Sequence, residues 1–288
     1  VEISIRTGRP EDRPAIEAFT RNTFEWGDYI GRVYEEWLAD TSGYTFIAEL
    51  AGRVVGLARV DSLSDEEAWF QGVRVHPSHR RQGVGTTLAA HACGWAGKRG
   101  ARVIRLAVEN WNRPARSQFE RSGFRPVSRW IWADRGVGEG SPVPEGNGGK
   151  RVPASEGLRP APAAEAAPAM MSWVSGPLGR AARNLFPTHW RWRRLTTDDL
   201  AAAAPRRALW EGRPGWALAQ VDGDTFDVSW LETAPDDARA MAHALVDCAA
   251  DAGVDRFLAV VPNVTWLRQA FQHLGCQIHP LWVYARAV

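Results

Sequence analysis

Gly72-Val73-Arg74-Val75-His76-Pro77-Ser78-His79-Arg80-Arg81-Gln82-Gly83-Val84-Gly85-Thr86-Thr87-Leu88 is the stretch on which the reading of this chain turns. It closes a strand-like run, Ala68 to Val75, with His76-Pro77 and then opens a helix from about Gly83 to Arg99. Val84, Leu88, Ala92 and Trp95 recur at helical spacing, and Gly100 supplies the stop. A strand, a glycine-rich turn and a helix start together make an anion site. The first amides of a helix have no internal partners, and the helix dipole favours negative charge there. Gly83 and Gly85 let a phosphate approach the backbone without a Cβ in the way, and Arg80 and Arg81 add charge at the rim. The Gly-Lys-Ser/Thr ending of a Walker loop is absent, and so is the third glycine of a dinucleotide fingerprint.

Outward from this stretch, the first half reads as an α/β unit. Ile3 to Arg6 alternates as a short strand, and Pro10-Glu11-Asp12 opens a helix carrying Ile16 and Phe19. Tyr44 to Glu49 and Val54 to Val60 are strands joined by a hairpin at Ala51-Gly52-Arg53. Val103 to Val108 is a buried-type strand, followed by a short helix to Arg121 and a strand around Val127 to Trp132.

With Asn112-Arg113-Pro114-Ala115 and Phe119-Glu120-Arg121-Ser122-Gly123-Phe124 following at a fixed distance, the first half resembles the GNAT superfamily of N-acetyltransferases. The resemblance covers roughly residues 3 to 133. It implies a bulged strand that splays from its neighbour, with acetyl-CoA as co-substrate. Main-chain groups of Val73, Arg74 and Val75 would border the pantetheine arm. Arg80, Arg81, Gln82, Gly83, Val84, Gly85 and Thr86 would hold the pyrophosphate. Asn112, Ala115 and Phe119 would line the pantetheine and acetyl region. The implied reaction is direct attack of an amine on the thioester. Where many members carry a tyrosine that protonates the leaving thiolate, this chain has Phe119, which has no hydroxyl. Candidates for the base are Glu25 and Asp28 after the first helix, Glu66 and Glu67 before the central strand, and Glu109 at the end of the next strand; Glu109 borders the gap where acetyl group and amine should meet. His76 and His79 read as surface histidines rather than a metal pair.

The second half echoes the first. Gly100 to Val108 matches Gly253 to Val261, and Phe119, Gly123 and Trp130 fall on Phe271, Gly275 and Trp282 with one deletion. The expectation is a mixed-sheet α/β chain of two tandem GNAT-like domains: residues 1–135, a Gly/Pro/Ala-rich linker over 136–168, and residues 169–288, with helix expected over Met170 to Phe186. Asp236, Asp237 and Ala238 stand where the first half has Gly83, Val84 and Gly85. Carboxylates there repel a pyrophosphate, so the second domain is expected to be degenerate.

Composition narrows the rest. A net charge of +2 gives no polybasic surface for nucleic acid or membrane. Cys93, Cys248 and Cys276 lie far apart without metal-ligand spacing, which points to a reducing, cytoplasmic setting and no metal. No signal-peptide pattern opens the chain and no apolar run reaches membrane-spanning length. Fifteen tryptophans are expected mainly in cores. Asp28-Tyr29-Ile30, Trp37 to Asp40 and Gln71 to Val75 further resemble histidine N-acetyltransferases and their relatives, which pair an active GNAT domain with a degenerate one. The expected partners are acetyl-CoA and a small amine, with a homodimer allowed. A non-catalytic acyl-CoA-binding module and an acetyltransferase of protein or peptide amines remain as alternatives.

Overall fold

The computed structural model describes residues 2–24, 27–137 and 157–288. It divides into two compact units. The first comprises residues 1–126 and the last five residues, Tyr284–Val288; the second comprises Val127–Val283.

Unit 1 runs β1 (Ile3–Thr7), α1 (Arg13–Thr20), α2 (Ile30–Ala39), β2 (Gly43–Leu50), β3 (Arg53–Ser62), β4 (Glu67–Val75), α3 (Val84–Lys98), β5 (Val103–Glu109) and α4 (Arg113–Arg121). Its strands lie in the order β1-β2-β3-β4-β5; β1 to β4 are antiparallel and β5 is parallel to β4. The β2–β3 turn places Ala51 and Gly52 at positive φ, the geometry a tight hairpin demands. One face of the sheet is covered by α1 and α2, through Ile16, Ile30 and Tyr34 packed on Ile47 and Leu57. The sequence reading names no helix over 30–39, although Ile30, Tyr34, Trp37 and Leu38 have the 3.6-residue period. The Tyr34 hydroxyl is satisfied by the Arg9 carbonyl at 2.9 Å, so a polar tip can enter this core. On the other face Phe46 and Phe70 stack at 6.4 Å, and α3 packs against β3 and β4.

Unit 2 contains β6 (Arg125–Gly136) from Val127 onward, β7 (Arg159–Pro160), α5 (Ala166–Ser175), α6 (Pro177–Ala182), β8 (Leu185–Thr188), β9 (Arg191–Arg194) and α7 (Thr197–Ala203). It continues with β10 (Leu209–Gly212), β11 (Gly215–Asp222), β12 (Thr225–Glu232), α8 (Ala238–Asp251), β13 (Arg256–Pro262), α9 (Thr265–His273) and β14 (Gln277–Ala287) as far as Val283. Its sheet order is β14-β6-β13-β12-β11-β10-β7, with β12 parallel to β13. Thus the strand expected to close the first half, β6, pairs with β13 in unit 2, from Trp130↔Pro262 to Gly136↔Arg256. The chain's last residues belong to unit 1, where the Val288 amide reaches the Arg102 carbonyl at 3.2 Å. Part of the segment read as linker is structured: residues 159–160 form β7, and α5 begins at Ala166, because the alanine-rich run after Pro162 is a strong helix former. The helix expected over 170–186 is broken at Gly176-Pro177 into α5 and α6. The remainder of the stretch read as linker, residues 138–156, lies outside the described residues.

Unit 2 buries Trp130, Trp173, Trp192 and Trp230, which supports the core reading of the tryptophans there; Trp173 and Trp230 meet edge-on at 5.6 Å. At the end of β12, Glu232 is buried beside Ser172, whose hydroxyl donates to Oε1 at 3.0 Å, while Oε2 has no partner among the described residues. Burial pushes its carboxyl up to about 7. Between the unfolded value, near 4.5, and about 7 the folded chain holds a proton that the unfolded chain has lost, so stability falls as pH rises through that window. Glu232→Gln should therefore be more stable than wild type at pH 8, by on the order of 2 kcal/mol, with the difference shrinking towards pH 5. Urea unfolding of both proteins at the two pH values measures this.

Candidate functional site

The central strand of unit 1 carries the irregularity on which the site is built. Along β3, Leu57 and Arg59 are two residues apart; their partners on β4, Arg74 and Gln71, are three apart. The extra residue is a β-bulge. Gly72 sits in it at φ +65, with the Trp37 ring 2.3 Å from where a Cβ would stand. Only glycine meets both conditions.

The bulge separates two pairings. Below it β4 pairs with β5 at Glu67↔Val103, Ala68↔Ile104 and Trp69↔Arg105, and the ladder goes no further. Above it the His76 amide donates to the Val55 carbonyl at 2.8 Å. Hydrogen-bonded pairs alternate along an antiparallel ladder, so Arg74, opposite Leu57, also turns its main-chain groups to β3. The N–H and C=O of Val73 and Val75 then point to the side of β5, across a cleft where β5 no longer pairs. A sheet edge whose main-chain groups are not taken up by a neighbouring strand is a place for an extended amide-bearing ligand.

At the top of the cleft, β4 runs through a short 3-10 turn, Pro77–His79, into α3. Arg81 (φ +62) and Gly83 (φ +88) take left-handed conformations. The first helical bond of α3 is Thr87 N–H to the Gly83 carbonyl at 2.9 Å, which leaves the amides of the preceding turn outside the helix ladder. No side chain caps this end. Gly83 and Thr86 are exposed, as are Arg80, Arg81 and Gln82, and the Arg80 Nε leans on the Val75 carbonyl at 3.4 Å. Val84 is buried and anchors the helix to the sheet. Gly85 faces α4, where the Gln118 amide nitrogen would be 2.1 Å from a Cβ. That nitrogen is buried without a partner among the described residues. The loop therefore has the amides, glycines and charge of an anion cradle.

The α4 helix closes the cleft. The Asn112 side-chain oxygen accepts from the Ala115 amide at 3.2 Å, which caps α4 and leaves the Asn112 NH2 to other acceptors. Phe119 is buried edge-on against Phe70 and Phe124, at 6.1 and 5.9 Å. The position lacking a hydroxyl has become core. Tyr284 brings a buried hydroxyl to this helix, but it donates to Glu120 at 3.0 Å and accepts from Arg116 at 3.2 Å, which makes it a clamp on α4.

The carboxylates differ in what holds them. Asp28 is ion-paired to Arg74 through both oxygens, at 2.6 and 3.0 Å. Burial would raise its carboxyl, but the Arg74 fork more than offsets that and holds it below the usual range. Arg74 lies between the Phe24 and Tyr29 rings, 5.3 Å from each centroid. Sequence reasoning assigned Asp28 and Arg74 separately and missed their pairing, because 46 residues separate them. Glu67 is paired with Arg105 at 2.6 Å, and Glu66 with Arg102 at the surface. Glu109 ends β5 half-buried, beside the cleft. Glu25 lies outside the described residues.

Comparisons with known proteins agree with this geometry. The profile of the acetyltransferase (GNAT) family matches residues 13–124. Streptothricin acetyltransferase of Streptomyces lavendulae is 37% identical over 87 residues, 30% of this chain and 46% of that protein. Histidine N-acetyltransferase of Oreochromis niloticus is 33% identical over 79 residues, 27% of this chain and 23% of that one. The chain spans about half or less of the length of the curated relatives it matches. A GCN5-related N-acetyltransferase from Sphaerobacter thermophilus has the same fold: TM-score 0.68 at 16% identity, covering 99% of this chain and 95% of that one. The family match lies within unit 1, whose residues 13–124 are similar to GNAT acetyltransferases, and the structural likeness extends the fold over the rest of the chain.

Gly72→Ala adds a methyl group against Trp37 and forces a left-handed non-glycine residue. The expected cost is about 2–4 kcal/mol of stability, read as a fall in the urea midpoint.

Proposed function

We propose that unit 1 is an acetyl-CoA-dependent N-acetyltransferase acting on the primary amine of a small molecule, with free amino acids as the favoured class. The observation that carries the reading is the bulged, splayed β4 leading into an uncapped, glycine-lined helix start. Val73 and Val75 would pair with the pantetheine amides in the cleft, and the amides from Arg81 to Thr86 would take the pyrophosphate. A main-chain N–H at the cleft would polarise the thioester carbonyl. The neutral amine attacks the carbonyl carbon, the C–S bond breaks, and the electron pair leaves on sulfur. Glu109 is the carboxylate we assign to removal of the amine proton, directly or through water. We assign Asp28 to holding Arg74, since an ion-paired carboxylate of lowered pKa is a poor base.

The small-amine preference draws on the relatives, one named for streptothricin and one for histidine. It belongs to those proteins and enters here as support. In unit 2 we read a degenerate copy in a tandem arrangement: β12 bears a bulge opposite Leu218 and Ala219, yet the helix start carries Asp236 and Asp237 in its first turn. Two carboxylates there oppose a phosphate.

Gly83→Asp tests the co-substrate site. Gly83 has open space around it, with only Ile3 at 4.0 Å, and aspartate tolerates left-handed backbone better than most residues, so the fold should survive. The added charge should weaken acetyl-CoA binding at least about tenfold, since one charge-assisted bond is worth roughly 1.5–3 kcal/mol. Unchanged binding by calorimetry would overturn the site.

Thiol release from acetyl-CoA across the twenty amino acids, lysine-containing peptides and polyamines tests the acceptor class. With no phenol at position 119, the rate should follow deprotonation of the acceptor. α-Amines, whose pKa is the lower, should outpace ε-amines near 10.4. The pH profile of kcat/KM should have no descending limb below about pH 9, and Phe119→Tyr should change the rate less than about tenfold. Preference for peptide lysines would favour the protein-acetyltransferase alternative.

A further inference from the structure

The leaving thiolate needs a partner, and Phe119 cannot be one. We propose that Arg74 fills that role: its guanidinium stabilises the negative charge that departs on sulfur, in place of a phenolic acid. The inference rests on the acetyl-CoA reading of the cleft.

Arg74 stands on β4 two residues past Gly72, at the point where β4 and β5 have parted. Its guanidinium does not extend away from the strand. The NH1 group turns back to donate to the Val73 carbonyl at 3.2 Å. That carbonyl points into the cleft, as the ladder alternation requires, so the charged tip of Arg74 lies at the cleft edge. A carbonyl has two lone pairs, and a pantetheine N–H can share it with the guanidinium.

The side chain is held as a fixed charge. Asp28 grips Nε and NH2, and Phe24 and Tyr29 flank the plane. A guanidinium has five N–H groups, and the bonds to Asp28 and Val73 use three of them. Donor capacity remains at the NH1 end. The Arg74 side chain is 15% exposed and that of Asp28 only 2%, so the pair is shielded and its open end is the arginine. A pinned donor costs no reorganisation when charge develops beside it. Asp28 offsets part of the positive charge but fixes the fork, and a guanidinium cannot lose its proton in this pH range. The step balances without an acid: the amine nitrogen bonds to the carbonyl carbon, the C–S pair goes to sulfur, and the thiolate leaves bound to N–H donors. Its protonation follows in solvent.

The test uses the full chain with hydroxylamine as nucleophile, which needs no acceptor pocket and no enzymic base. Acetohydroxamate formation from acetyl-CoA is measured above the uncatalysed background. Wild type is assayed first: if it neither binds acetyl-CoA by calorimetry nor accelerates this reaction, the acetyltransferase reading itself fails. Given an active wild type, the matched pair Arg74→Met with Asp28→Asn, which leaves no unpaired buried charge, should lose kcat on the order of a hundredfold, the usual effect of removing one transition-state donor. Its affinity for acetyl-CoA should stay within about threefold of wild type. In Arg74→Ala, millimolar guanidinium chloride, far below denaturing concentration, should recover part of the rate; a merely structural arginine would not respond. Adding Phe119→Tyr to the matched pair should also recover rate and introduce a descending alkaline limb, the signature of a titrating phenol. A matched pair as fast as an active wild type, or a loss that guanidinium leaves unchanged while acetyl-CoA still binds, overturns the assignment to Arg74 alone.

Discussion

One extra residue in β4 is the constraint from which the functional half of this chain follows. A regular strand would spend its N–H and C=O groups on both neighbours. The bulge at Gly72 lets β4 stay paired with β3 while it leaves β5 after three positions. Main-chain groups of Val73 and Val75 are thereby kept out of the sheet without being exposed on a free edge. The same strand then feeds the turn that starts α3 with its amides unmet. Cleft and cradle are thus consecutive products of a single chain segment, and a ligand with amides at one end and phosphates at the other fits both.

Around that cleft the side chains have been redistributed. The position that could carry a phenol is an aromatic core contact, with Phe119 locked against Phe70 and Phe124. Charge enters from the opposite face instead, where the loop before α2 delivers Asp28, Phe24 and Tyr29 to Arg74. A proton donor titrates; a guanidinium does not. If the thiolate is met by a fixed charge, catalysis loses its alkaline limit and depends on the neutral fraction of the acceptor. That would connect the missing tyrosine to a preference for amines of low pKa.

On the degenerate-copy reading proposed above, unit 2 keeps the scaffold and differs at the helix start. It has the parallel β12–β13 pairing and a bulge, and a helix follows after a proline turn. The difference lies in the first turn, where carboxylates stand in place of glycines. Acidic residues at a helix start satisfy the dipole internally, which serves stability and removes the field that would attract a phosphate. The interior of this unit holds packed indoles and a buried glutamate.

The sequence by itself determined the local features. Val84, Leu88 and Ala92 specify one buried helix face, Gly83 and Gly85 specify a turn that admits an anion, and Ala51-Gly52 specifies a hairpin, because each depends on neighbours in the chain. The family resemblance followed from the same short range. Three things required the tertiary structure. The pairing of Asp28 with Arg74 joins residues 46 positions apart, and neither carries a pattern that names its partner. The placing of β6 in unit 2 and of Tyr284–Val288 in unit 1 depends on which sheet edge each strand meets, and a strand's own alternation is the same on either edge. The reach of the Arg74 guanidinium to the Val73 carbonyl is a side-chain conformation, fixed by packing between two rings and a carboxylate. Periodicity records which face a residue shows; it holds no information on what distant residue that face will meet.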